Sequence, residues 1–207
     1  KCLFGGRLND APVLIGYTGD EMSLGVPGGT DAQVEAWARE NYGPYAEEFI
    51  AACREKAQRE QVPLSKAAMV NVNEISTRVI ADELSRQGRA VYAYEFDPEI
   101  PGDDAGAFHS ADLWFTFETL MKCWRPFDGH HFDLARKMCN YWTNFAKNGD
   151  PNGPDANGTP MPIWTPYSEK SPFVMLFHDE IGMEKPSTAD AKREVMLRAN
   201  REAYIKL

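Results

Sequence analysis

The run Ala11-Pro12-Val13-Leu14-Ile15-Gly16 is apolar throughout, opened by proline and closed by glycine, and reads as a buried strand. Tyr17-Thr18-Gly19-Asp20-Glu21 is its exit loop. After a Gly/Pro turn from Gly25 to Gly29, the apolar positions change to helical spacing. A helix is predicted from Asp31 to Asn41, capped by Thr30 and stopped by Gly43. Pro44 opens a second, which runs to about Glu60 with Tyr45, Phe49, Ile50 and Cys53 on one face. A third is expected from about Leu64 to Gln87, ending at Gly88. Val91-Tyr92-Ala93-Tyr94-Glu95-Phe96, rich in β-branched and aromatic residues, is the next strand. Two strands separated by helices imply a parallel pair and the α/β class, and this crossover is long enough to supply a cap or a pocket wall.

Beyond Phe96, the Asp97-Pro98 and Pro101-Gly102-Asp103-Asp104 pieces read as a loop. Trp114, Phe115, Phe117, Leu120, Met121 and Trp124 crowd into a short span expected to be a helix packed on the core, with some rings available to line a pocket. Ala135, Met138, Cys139, Trp142, Phe145 and Ala146 recur at helical spacing in a helix from about Phe132 to Asn148. Gly149-Asp150-Pro151-Asn152-Gly153-Pro154 terminates it. A Pro-rich segment with Trp164, a strand at Phe173 to Phe177 and a charged helix from about Thr188 to Tyr204 complete the chain.

With 207 residues, 43% hydrophobic and 12% aromatic, the chain can bury a sizeable core. A formal net charge of -9 without a Lys/Arg cluster argues against nucleic acid as a partner and disfavours anionic membrane surfaces. No apolar run approaches the roughly 18 residues of a membrane span. Cys2, Cys53, Cys123 and Cys139 form no C-x-x-C pair, which makes a zinc site improbable, and no cofactor is implied. Asn157-Gly158-Thr159 is a glycosylation sequon that matters only on a secretory route, and the compartment is left open. The chain starts at Lys1-Cys2-Leu3-Phe4-Gly5-Gly6, without methionine and close to a core strand, as expected of a fragment of a longer protein.

Gly106-Ala107-Phe108-His109-Ser110-Ala111-Asp112-Leu113 places a single histidine in a small-residue turn beyond the carboxyl end of a strand, the edge of an α/β sheet at which loop residues do chemistry. The plain alternative is a packed or solvent-facing histidine. Other candidates are His130-His131 beside Asp128 and Asp133, which invite a metal reading although neighbouring histidines at a helix start are expected to point apart. His178-Asp179-Glu180 reads as a solvated turn, and Asp103-Asp104 as a loop pair without an acid-base partner.

The histidine segment resembles that of the type-B carboxylesterases, the family that includes the cholinesterases, in which the histidine is the general base. Other segments resemble the family in its order. Pro12 to Glu21 is similar to the strand and loop that deliver the acid, and Gly88 to Phe96 to the strand before the histidine. The run Tyr141 to Gly153 is similar to the C-terminal helix and turn, and Pro162-Ile163-Trp164-Thr165-Pro166-Tyr167 to the tryptophan segment beyond. The resemblance implies that residues 1–207 are the C-terminal portion of a single α/β-hydrolase domain, a mostly parallel sheet flanked by helices. It implies Glu21 as the acid and His109 as the base of a serine carboxylic ester hydrolase acting on a small-molecule ester. The family's G-x-S-x-G turn and its glycine-rich oxyanion loop do not occur in the chain, so the partner expected to carry the serine is the N-terminal portion of the same enzyme. Met22 follows the acid where the family commonly has glycine, and Asp112 stands where it often has glutamate. The competing readings are a non-catalytic cholinesterase-like interaction module and an amide or lactone hydrolase on the same fold.

Overall fold

The computed structural model of the chain describes residues 2–21, 23–184 and 191–206. Strand β1 (Val13–Thr18) leads through β2 (Ser23–Leu24) to helices α1 (Asp31–Tyr42), α2 (Ala46–Glu60) and the short α3 (Leu64–Ala67). Strand β3 (Val70–Asn71) and helix α4 (Val72–Arg86) bring the chain back to β4 (Val91–Phe96). Then follow α5 (Asp112–Thr116), α6 (Gly129–Asn148), the hairpin β5 (Val174–Phe177) and β6 (Ile181–Glu184), and α7 (Ala191–Lys206).

The main sheet has the order β1-β4-β5-β6. β1 pairs parallel with β4, Val13 opposite Val91 and Thr18 opposite Phe96, and β4 pairs parallel with β5. β6 adds an antiparallel edge, so the α/β class and the mostly parallel sheet are as expected. Apart from Glu95, which accepts from the Tyr17 hydroxyl, β4 is apolar on both faces because both are covered. Val91 and Ala93 pack with Ala81 and Leu84 of α4, whereas Tyr92 and Phe96 pack with Leu134, Met138 and Tyr141 of α6. Register is held by shape as well as by the ladder. A Cβ on Gly16 would lie 2.2 Å from the ring of Tyr94, the residue opposite it, so only glycine lets that ring lie across β1.

The predicted helix over 64–87 is broken in the structure. Its first turn is α3, and Asn71 starts a new helix, its side chain accepting from the N–H groups of Asn73 and Glu74 at 3.1 Å each. An N-cap draws a helix start to itself more strongly than a run of mildly apolar residues can carry a helix through it. The predicted helix over the aromatic span is also shorter. Glu118 has φ 49, and the amides of Glu118 and Thr119 return to the carbonyls of Phe115 and Trp114, which closes α5 after a few residues. A 3-10 turn, Leu120–Lys122, follows. Phe115 and Leu120 are core residues, whereas Phe117, Met121 and Trp124 are exposed, so core packing holds for only part of that span.

Helix α6 begins ahead of Phe132, capped by Asp128, and ends at Gly149 in the left-handed conformation. Its tail is tied down. The Asn152 side chain exchanges two hydrogen bonds with the backbone of Trp164, at 2.7 and 2.9 Å, and buried Trp164 donates its indole N–H to the Ala93 carbonyl of β4. Buried Asp155 receives Arg136 and Asn140 of α6 and holds the intervening turn. The C-terminal helix is present from Ala191, while its expected start at Thr188 and the position of Met22 lie outside the described residues. Cys53 packs as a small apolar core residue, and Cys139 is half-buried.

Candidate active site

Parallel pairing of β1 with β4 sets the two exit loops side by side, so that residues just past Thr18 and past Phe96 meet at one sheet edge. Glu21 and His109 come together there. The imidazole Nδ1 lies 2.7 Å from Glu21 Oε2, with the carboxylate side chain only 6% exposed and the imidazole 64% exposed. A carboxylate so placed favours the tautomer with the proton on Nδ1 and leaves the Nε2 lone pair free. Among the described residues Nε2 has no hydrogen-bond partner.

Burial works against the Glu21 charge, but hydrogen bonds from Asn73, His109 and Thr18 outweigh it and hold the carboxyl below the usual range. The helix α4 start supplies this support. Asn73 belongs to its first turn, and Asn71, which caps it, also donates to the carbonyls of Thr18 and Gly19 at 3.0 and 3.3 Å. Sequence reading missed both asparagines. The signal was present in Asn71 followed three positions later by Glu74, a helix-start pattern.

Asp20 serves the backbone. Its Oδ2 accepts the Ala107 N–H at 2.9 Å, its own N–H donates to the Ala107 carbonyl at 3.0 Å, and a single parallel bridge joins it to Phe108. Gly106 makes the approach possible: at φ 62, a Cβ there would sit 2.0 Å from the Asp20 carboxylate. Beyond the imidazole, Ser110 has φ 69, a conformation a serine adopts at a cost. Asp112 accepts from Tyr94 at 3.0 Å, and burial raises its carboxyl above the ordinary value.

The remaining candidates lie apart from this pair in their contacts. His130 and His131 do not diverge as expected: their rings are 3.8 Å apart, and both Nδ1 atoms reach Asp128 Oδ1, at 2.5 and 2.9 Å. The helix cap draws them in, since Asp128 and His131 form a capping box. Asp128, His130 and His131 are the groups that could share a metal ion among the described residues, but His131 is buried with Nε2 on the Glu99 carbonyl at 3.2 Å. Asp133 goes to Arg136 at 2.5 Å. His178-Asp179-Glu180 is the turn of the β5–β6 hairpin. Asp103, read as a loop residue, forms a two-pronged ion pair with Arg125. Cavities of about 250 and 210 Å³ lie along α4 and α7, and neither is lined by Glu21 or His109. No helix among the described residues is long and apolar enough to cross a membrane.

Among solved structures, the chain is similar to a thermophilic pNB esterase with TM-score 0.62 and 22% identity, over 93% of this chain and 40% of that one. It is similar also to an esterase of Clostridium hathewayi, with TM-score 0.57 and 19% identity over 93% of this chain and 38% of that one. The fold is thus that of the α/β-hydrolases. Carboxylesterase 5A of Canis lupus familiaris is 37% identical over 100 residues, 43% of this chain and 16% of that protein. Carboxylesterase 5A of Mus musculus is 46% identical over 102 residues, 43% of this chain and 16% of that protein. Acetylcholinesterase of Gallus gallus is 32% identical over 92 residues, 42% of this chain and 12% of that protein. The aligned stretch is thus a minor part of each relative's length. Residues 6–194 match the carboxylesterase family along nearly the whole chain, and the chain belongs to that family.

Proposed function

We propose that this chain supplies the acid and the general base of a serine carboxylic ester hydrolase, with Glu21 and His109 in those roles and the serine carried by an N-terminal portion outside these residues. The observation that carries the reading is the 2.7 Å bond from a buried carboxylate to the Nδ1 of an exposed imidazole with Nε2 free. In this reading Nε2 takes the proton of the serine hydroxyl as its oxygen attacks the ester carbonyl. It then delivers the proton to the leaving alcohol, which departs as the acyl-serine forms. Water enters by the same route in reverse and releases the acid. Glu21 keeps the proton on Nδ1 and stabilises the imidazolium that forms at each attack, a task suited to a carboxyl held below its usual range. Backbone donors for the oxyanion would also come from outside the chain.

Membership of a family whose named relatives are esterases supports ester hydrolysis as the chemistry. The test is an assay with an activated acetate ester. The chain alone should match free imidazole at equal concentration, and joining it to a segment bearing the G-x-S-x-G serine should give turnover that His109→Ala abolishes. Turnover by the chain alone, or a joined enzyme indifferent to His109→Ala, would overturn the assignment.

A further inference from the structure

Arg125 is a buried cation with an unusual set of neighbours. Its side chain is only 6% exposed. Nη1 donates to the Pro101 carbonyl at 2.9 Å and to Asp103 Oδ1 at 2.7 Å, while Nη2 donates to Asp103 Oδ2 at 2.9 Å. The guanidinium carbon sits 4.9 Å from the Trp124 ring, 5.1 Å from that of Phe108 and 6.0 Å from that of Trp114. Taking a guanidinium out of water is costly, and a two-pronged carboxylate pair together with aromatic faces offsets that cost.

These contacts fall at two separate points of one loop. Pro101 and Asp103 lie near the middle of the connection from β4 to α5, and Phe108 lies in its last part, adjacent to His109. Arg125 is fixed in turn by the chain leading into α6, whose Phe127 packs on Trp114 and Phe115. Asp20 holds the same part of the loop through the backbone of Ala107. We infer that Arg125 and Asp103 are positioning residues for His109, a clamp that sets the loop so that the imidazole meets Glu21. The inference rests on the catalytic reading of His109.

A clamp of this kind has a recognisable signature. Asp103 is 45% exposed, so the pair is partly screened by water, although losing its carboxylate leaves the buried guanidinium without a charge partner and costs some stability. A misplacement of about 1 Å at a reacting group nevertheless costs roughly 100-fold in rate. Activity should therefore fall much further than stability. Lysine keeps the charge at position 125 but loses the planar fork and the stacking, so it does not substitute.

The experiment uses the complete enzyme with Arg125→Lys, Asp103→Asn and the double variant. Arg125→Lys is expected to lower kcat about 10- to 100-fold with KM within about twofold. Asp103→Asn, which leaves the buried site filled and so keeps the fold testable, should lower kcat by a smaller factor, and the double variant should be no worse than Arg125→Lys alone. The second readout is the downfield proton resonance of His109 Nδ1–H, assigned by its loss in His109→Ala. It should broaden or weaken in each clamp variant. Wild-type kcat in both single variants would overturn the inference. A lower kcat with an unchanged Nδ1 resonance would overturn it too, because the loss would not run through His109. If His109→Ala left the enzyme active, the catalytic reading would fail instead, while the Nδ1 resonance would still report whether the clamp sets the loop.

Discussion

Asp20 and Glu21 are adjacent, and their carboxylates address different parts of one neighbour: Glu21 takes the imidazole of His109 at 2.7 Å, and Asp20 takes the backbone N–H of Ala107 at 2.9 Å. One orients the ring, the other the loop that carries it. In the complete enzyme, Glu21→Gln should keep the shape but favour the wrong tautomer, and the comparable change in a serine protease lowers kcat about 10⁴-fold. Asp20→Asn should cost about tenfold, or ~1.4 kcal/mol in the barrier. Comparing kcat for the two variants checks the division of labour, and a larger loss for Asp20→Asn would reverse it.

The histidines separate in the same way. His109→Ala should abolish turnover with little effect on stability, because the ring is mostly exposed. His131→Ala should leave activity near wild type yet cost about 1–3 kcal/mol of stability, since it strips a buried cap and the donor to the Glu99 carbonyl. His130→Ala should change neither by much. Urea unfolding beside steady-state kinetics distinguishes the three, and a stable but inactive His131→Ala enzyme would contradict this assignment.

Acid sensitivity should carry the mark of Glu21. Its folded carboxyl lies below the unfolded value of about 4.3, so its contribution is fully present above that pH and is lost as pH falls through the folded value. Glu21→Gln lacks this dependence. The stability difference between wild type and Glu21→Gln should therefore be largest near pH 6 and shrink below about pH 4. Urea midpoints at the two pH values measure it, and a constant difference would mean that the charge adds nothing to the fold.

Ser110 offers a prediction of opposite sign. A left-handed serine costs about 1–2 kcal/mol in backbone strain, and glycine at the same place gives back about 0.5–1 kcal/mol through its looser unfolded chain. Ser110→Gly should thus stabilise by about 0.5–1 kcal/mol and raise Tm. A lower Tm would show that the serine side chain does more than tolerate its conformation.

What could be read from the residues alone was whatever local punctuation announces. Pro12 opens β1, although the strand runs past Gly16 and takes in Tyr17 and Thr18, which read as exit loop; Thr30 and Gly43 bracket α1, and the apolar spacing of α6 is plain from Ala135 to Ala146. Glu21 and His109 could be named because their segments resemble a family, whereas their 2.7 Å approach depends on the β1–β4 register. The partners that hold the site were not legible for a physical reason: Arg125 and Asp103, or Asn71 and Thr18, are far apart in sequence and share no periodicity. The aromatic span after His109 misled because composition does not reveal which rings face water, and the left-handed Glu118 divides it.

Asn71 has a consequence for how such a chain can change length. Because the residue that starts α4 also grips the carbonyls of Thr18 and Gly19, the acid-bearing loop takes its position from both ends of the crossover and not from its middle. The surface turn from Gly25 to Gly29 can therefore gain or lose residues without moving Glu21, since a longer surface connection adds little to the entropy of closure, whereas α1, α2 and α3 bury Val34, Phe49 and Leu64 in a core with Ile75 and Val79 of α4. A single residue inserted between Thr18 and Glu21, or between Asn71 and Asn73, has no such freedom and would pull the carboxylate off its imidazole.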